Sequence, residues 1–126
     1  MRFFFDNNLS RHLSDGMRGF QEDTTHLLES FEPGEEDATW LKEIGNRGWF
    51  LVTRDERIRK KPAELMALQR HSVGAFFLGG KSRTRCQLIQ QLVRCWPRMK
   101  ETASNTARPF AFRVPPHGKR LDRIQL

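Results

Sequence analysis

Trp49-Phe50-Leu51-Val52-Thr53 is an unbroken β-prone run, and Arg54-Asp55 closes it with charge. Its apolar residues are consecutive, not alternate. A strand wetted on one face alternates. A strand covered on both faces does not, and such strands belong to parallel sheets flanked by helices. Two other segments read alike: Arg2-Phe3-Phe4-Phe5 stopping at Asp6, and Gly74-Ala75-Phe76-Phe77-Leu78 stopping at Gly79-Gly80. Working outward from these, helical patterns fill the gaps. Ser10 can cap a helix through His12, Leu13, Met17 and Phe20. Thr24–Leu28 reads as a second strand, and Glu32-Pro33-Gly34 as a turn. A helix opening in acidic Glu35–Asp37 buries Trp40, Leu41 and Ile44 and ends at Gly48. Pro62 starts a helix that ends near His71. The longest helix spans Arg83 to Glu101 on the stripe Leu88, Ile89, Leu92, Val93, Trp96 and Met99, and Pro109–Val114 reads as a last strand. Strand–helix alternation of this kind predicts an α/β fold. The expected unit is a single domain with a mainly parallel sheet of four to five strands between helical layers, in a three-layer α/β/α arrangement. The domain is expected over residues 1–115, with 116–126 a flexible basic tail.

The chain has 126 residues and a formal charge of +7, a length that suits one domain. The charge is unevenly distributed. Residues 1–80 hold 11 basic and 13 acidic side chains, while residues 81–126 hold 11 basic and 2 acidic. Seven carboxylates and no Lys or Arg lie between Phe20 and Leu41. The basic half points to a polyanionic partner and the acidic stretch to a hard cation. No apolar run reaches the ~20 residues that span a bilayer, so no membrane role is expected. Two cysteines make no disulfide framework, and a cytoplasmic setting is expected.

Ligands of open α/β sheets sit at the carboxyl ends of strands, where the strand order reverses. Asp6 ends the first strand, and Asp55 follows the third, its neighbour in a 2-1-3-4 order. Asp37 stands four residues before Leu41 and seven before Ile44, on the inward stripe of its helix. Three carboxylates brought to one corner repel each other and favour a divalent ion among them. Oxygen donors select Mg²⁺ or Mn²⁺ over zinc. Glu29, at the end of the second strand, is a fourth candidate ligand. Asn8 and Thr53 can support the ligands from behind. Arg57, Arg59, Lys60 and Lys61 directly follow Asp55, and Arg11 opens the first helix, where they can hold phosphates.

The segments Arg2-Phe3-Phe4-Phe5-Asp6-Asn7-Asn8 and Leu51-Val52-Thr53-Arg54-Asp55, with His26-Leu27-Leu28-Glu29 and Asp37-Ala38-Thr39-Trp40-Leu41, resemble PIN-like domains in order and spacing. The likeness is to the compact branch that includes VapC-type toxins of toxin–antitoxin systems, and it covers roughly residues 1–115. The resemblance implies a metal-dependent ribonuclease, usually a homodimer, neutralised by an antitoxin protein. It maps the family's metal-binding acids onto Asp6, Asp37 and Asp55. A fourth acid, common in the family, has no unambiguous counterpart. The alternative reading is a PIN-like module that binds RNA or protein without cutting. A phospho-acceptor receiver also places acids after strands one and three. It wants Ser or Thr after strand four, where this chain has Gly79-Gly80. Gly79-Gly80-Lys81-Ser82 resembles the end of a phosphate-binding loop, but Ala75 stands where that motif needs glycine. The four histidines are scattered and give no zinc pattern.

Overall fold

The computed structural model describes all 126 residues. Its elements are β1 (Phe3–Phe5), α1 (Arg11–Gly19), β2 (Thr24–His26), α2 (Leu27–Ser30), α3 (Asp37–Arg47), β3 (Phe50–Thr53), a 3₁₀ turn (Glu56–Arg59), α4 (Pro62–Arg70), β4 (Gly74–Leu78), α5 (Arg85–Asn105), β5 (Phe110–Val114) and β6 (Asp122–Ile124). The six strands form one sheet in the order β2-β1-β3-β4-β5-β6. All pairs are parallel except β5 with β6. The chain passes from β1 to β2 on one side and then to β3 on the other, so the order reverses at β1, and ligands of such sheets bind at the strands' carboxyl ends there.

Consecutive burial along β1, β3 and β4 follows from helices on both faces. Phe3, Phe5, Phe50, Val52, Phe76, Leu78, Phe110 and Val114 pack toward α1 and α5, with Leu13, Met17, Leu88, Leu92 and Trp96. Phe4, Leu51, Ala75, Phe77 and Ala111 pack toward α3 and α4, with Trp40, Leu41, Ile44 and Leu68. Aromatic side chains fill much of both layers. Phe3 lies 4.6 Å from Trp96 and Phe4 lies 5.5 Å from Trp40, centroid to centroid. Gly74 must lack a side chain, because a Cβ there would lie 2.5 Å from the Phe110 ring. No helix is long and apolar enough to cross a membrane.

Three local expectations are corrected. The second strand ends at His26, not Leu28, because the His26 imidazole accepts the Leu28 N–H at 3.2 Å and starts the short helix α2. The long helix begins after Thr84 and runs to Asn105, because Thr84 and Gln87 close a reciprocal capping box. The sheet does not stop near residue 115 with a free tail. Asp122–Ile124 adds an antiparallel sixth strand on β5, with Arg123 over the Phe112 ring at 5.6 Å. With one apolar residue among three, that strand has no readable pattern. The cysteines are both free, Cys86 exposed and Cys95 buried.

Candidate active site

The carboxyl edge of β1 and β3 is built by the register of the two strands. Phe5 pairs with Val52, so Asp6 comes level with Thr53, and the Asp6 N–H donates to the Val52 carbonyl at 3.0 Å. Asp6 is 7% exposed. Its carboxylate accepts the Thr53 hydroxyl at 2.9 Å and the Asn7 N–H at 2.6 Å. The Thr53 hydroxyl also accepts the Asp55 N–H at 2.9 Å. One buried hydroxyl therefore fixes both the Asp6 side chain and the backbone of Asp55. Asn8 Oδ1 stands 3.4 Å from both Thr53 Oγ1 and the Arg54 N–H, at the rim of the same corner.

Asp37 is the first residue of α3, half-buried, and accepts the Trp40 indole N–H at 3.2 Å. Burial raises its pKa, the indole opposes that, and the charge of Asp55 adds to it. Burial also pushes Asp6 up, to about 6, against its two hydrogen bonds, and the charges of Asp37 and Asp55 push the same way. The three carboxylates thus share one electrostatic field. Asp55 behaves differently. Burial acts to raise its pKa, but bonds from the Arg57 side chain and backbone outweigh this and hold it low. Arg57 grips it with Nε at 2.9 Å and Nη2 at 3.1 Å. That ion pair answers part of the repulsion expected from the sequence.

The other candidate residues are dispersed. Glu29 binds Arg18 at 2.7 Å and Thr25 at 3.2 Å. Arg11 is exposed at the start of α1, and its charge is felt by Glu29. Arg59 pairs with Glu56 at 2.5 Å. Lys60 and Lys61 are exposed, and the charge of Lys61 reaches Asp37 and Asp55. Two positioning groups stand out: the bond of Trp40 to Asp37 was missed by the sequence reading, and His26 read only as a structural residue. Trp40 orients Asp37. His26 is buried, and with Nδ1 accepting from Leu28, Nε2 carries the proton and donates to the Leu9 carbonyl at 2.8 Å. His26 thereby ties down the loop that follows Asp6. A lone histidine inside a β-branched strand was the available signal for it.

The donors at this corner are carboxylate oxygens, which suit a hard divalent cation in kind. No group of three or more His, Cys, Asp or Glu side chains is gathered closely enough to hold a metal ion. Asp6 and Asp37 face the corner without a cationic partner, and Asp55 is engaged by Arg57.

The family model described as a PIN like domain matches residues 1–80. That stretch contains β1 through β4 and all three aspartates. No curated protein and no solved structure matches the chain. The β2-β1-β3-β4 order and the helical layers agree with the match, which spans more than half of the sequence. The chain belongs to the PIN-like domain family.

Proposed function

We propose that this chain is a divalent-metal-dependent endoribonuclease whose site is Asp6, Asp37 and Asp55. PIN-like domains are typically nucleases that use divalent metals. The observation that carries the reading here is Asp6, a carboxylate shut away from water and pushed to about 6 by burial and by two neighbouring acids. Such a group costs stability in the ionised form and gains from a cation. Asp6 and Asp37 would hold Mg²⁺ or Mn²⁺, joined by Asp55 once Arg57 turns away. When bound, the ion supplies Lewis-acid polarisation of the phosphate and a nucleophile at neutral pH. The chain's own residues do the rest. Thr53 keeps the Asp6 carboxylate and the Asp55 backbone in register, and Asn8 offers an amide at the rim. Arg57, released from Asp55, and Lys60 and Lys61 beside it attract and hold the phosphates flanking the cut bond. On the sequence resemblance, the reading extends to the toxin of a type II toxin–antitoxin pair, acting as a homodimer in the cytoplasm. Its partner would be a cognate antitoxin.

A second reading has an observation in its favour. Both Asp55 oxygens are engaged by Arg57, and no metal-binding group is closed. On that reading the chain is a PIN-like module that binds RNA or protein without cutting. Cleavage of a labelled RNA with and without EDTA, on wild type and Asp6→Asn, separates the two. Mn²⁺-dependent cleavage lost in the variant supports the nuclease. Equal cleavage by both chains removes Asp6 from the site, and no cleavage by either chain favours the binding module.

A further inference from the structure

Three arginines converge on Gly79-Gly80, where β4 leaves the sheet. Arg54 Nη2 donates to the Gly80 carbonyl at 2.7 Å. A Cβ on Gly80 would meet the Arg83 stem at 2.9 Å, and one on Gly79 would meet the Arg113 stem at 3.3 Å. Gly80 also has a φ of +105°, a conformation that excludes ordinary side chains. The glycine pair therefore has a use other than the nucleotide loop its sequence resembles: its bare backbone lets the Arg83 and Arg113 stems pack against it, and the Gly80 carbonyl takes Arg54.

The charge at this place is only partly balanced by protein. Arg54 and Arg83 donate to backbone carbonyls, of Gly80 and of Pro116 at 3.2 Å, which neutralise nothing. The Nε of each is shielded from solvent and lacks an acceptor. Arg113 donates to Glu56 at 3.1 Å, and that carboxylate is shared with Arg59. Asp122, paired with Arg113 in the strand register, is bonded to Arg120. Asp55 is taken by Arg57. Lys81 adds a further cation next in the chain. Arg54, Arg83 and Lys81 leave a net positive charge at this place, and Arg113 shares one carboxylate with Arg59. Guanidinium forks match phosphate oxygens in shape as well as charge.

The position gives the ligand class. The Arg54 backbone lies against Asn8 at the aspartate corner, while its side chain crosses to the end of β4. The β4 end is two strand spacings from β1, about 10 Å along one edge. We propose that Arg54, Arg83 and Arg113 form a phosphate-binding site for single-stranded RNA, holding a backbone phosphate beyond the one brought to Asp6, Asp37 and Asp55. The proposal rests on the nuclease reading and extends the contact surface past the family-matched residues, since Arg83 and Arg113 lie after residue 80.

The test uses the full chain in EDTA with a fluorescent single-stranded RNA. Binding is followed by anisotropy across a salt series, and arginine reactivity toward a dicarbonyl reagent is read by mass spectrometry. The wild-type protein needs no substitution for the second measurement. Bound RNA should protect Arg54, Arg83 and Arg113, and unchanged reactivity of all three overturns the site. Each phosphate contact on a single strand contributes about 0.7 to the slope of log K against log salt. The site holds one phosphate, so Arg83→Gln with Arg113→Gln should lower the slope by about 0.7, while Arg83→Lys with Arg113→Lys keeps most of it. An unchanged slope in the glutamine pair overturns the proposal. Cleavage with Mn²⁺ by wild type and Asp6→Asn is read in parallel. A chain that cleaves while the three arginines stay reactive keeps the nuclease reading and loses this one. A chain that neither binds nor cleaves loses both.

Discussion

Replacing Asp6 with asparagine removes the most enclosed carboxylate of the site. Its pKa stands at about 6 in the folded chain, against 3.8 for a free side chain. Between those values the unfolded chain has given up its proton and the native chain has not. The native state then binds more protons, so stability falls as pH rises, and above pH 6 the loss is complete. A gap of about two units is worth about 3 kcal/mol at roughly 1.4 kcal/mol per unit. The substituted amide carries no charge. Its oxygen can accept the Asn7 N–H and its NH₂ can donate to Thr53, so the local bonding is largely kept. Urea unfolding of both chains in EDTA, from about pH 4 to about pH 8, reads the difference directly. The advantage of Asp6→Asn should be near zero at about pH 4 and grow by about 2–3 kcal/mol by about pH 8. Because both chains share Asp55 and Glu56, whose shifts run downward, their contributions largely cancel in the difference. A difference that stays flat across pH would refute the claim that Asp6 is buried with its charge unanswered. Added Mn²⁺ at about pH 7.5 should raise the wild-type midpoint and leave the variant's unmoved.

Thr53→Val deletes the hydroxyl shared by Asp6 and Asp55 and strands a buried N–H, so at about pH 7.5 it should cost about 2–4 kcal/mol in urea unfolding, and less at about pH 5 where Asp6 holds its proton. Arg57→Gln removes both guanidinium bonds to Asp55 and leaves Oδ1 only the backbone N–H of position 57, and isothermal titration should show Mn²⁺ binding several-fold tighter; an unchanged affinity would confine Asp55 to its role at the start of the 3₁₀ turn. Gly45→Ala drives a Cβ into the His71 carbonyl where α3 meets α4, and should cost about 1–3 kcal/mol in urea unfolding.

The parts of the fold that could be read in advance are those where one physical requirement dominates. Phe3–Phe5, Phe50–Thr53 and Gly74–Leu78 are buried on both faces, so each is continuously apolar or uncharged and the parallel sheet follows. Asp6 and Asp55 were legible for the same reason, since a charge that follows a buried strand must lie at the sheet edge, while Asp37 was legible only through its place on the inward stripe of α3. β6 was not legible, because an edge strand of Asp-Arg-Ile is held by backbone pairing and one cation–ring contact, which leave no pattern. The Arg57 grip on Asp55 was also hidden. Both residues were singled out, but their adjacency in sequence does not tell whether Arg57 turns outward to solvent or back onto Asp55. Glu29 failed to join the corner because Arg18, in the last turn of α1, reaches across to claim it, and a contact between two separate elements leaves no trace in local spacing.

The charge split along the sequence is undone in space at this edge. The acidic first part supplies β1 and β3, and the basic second part supplies β5, but topology sets β5 beside β4 and so within reach of the acids. Arg113 bonds Glu56 across 57 positions. That bond occupies one carboxylate, and the acids near the edge with no cation bonded to them include Asp6, Asp37 and Glu64, whose charge is felt by Asp37. The arginines on Gly79-Gly80 are left in surplus further along the same edge. Unanswered negative charge at β1 and unanswered positive charge at β4 lie on one rim. An ion at the first and a phosphate at the second would neutralise both together, and a phosphodiester chain lying along the rim meets them in that order.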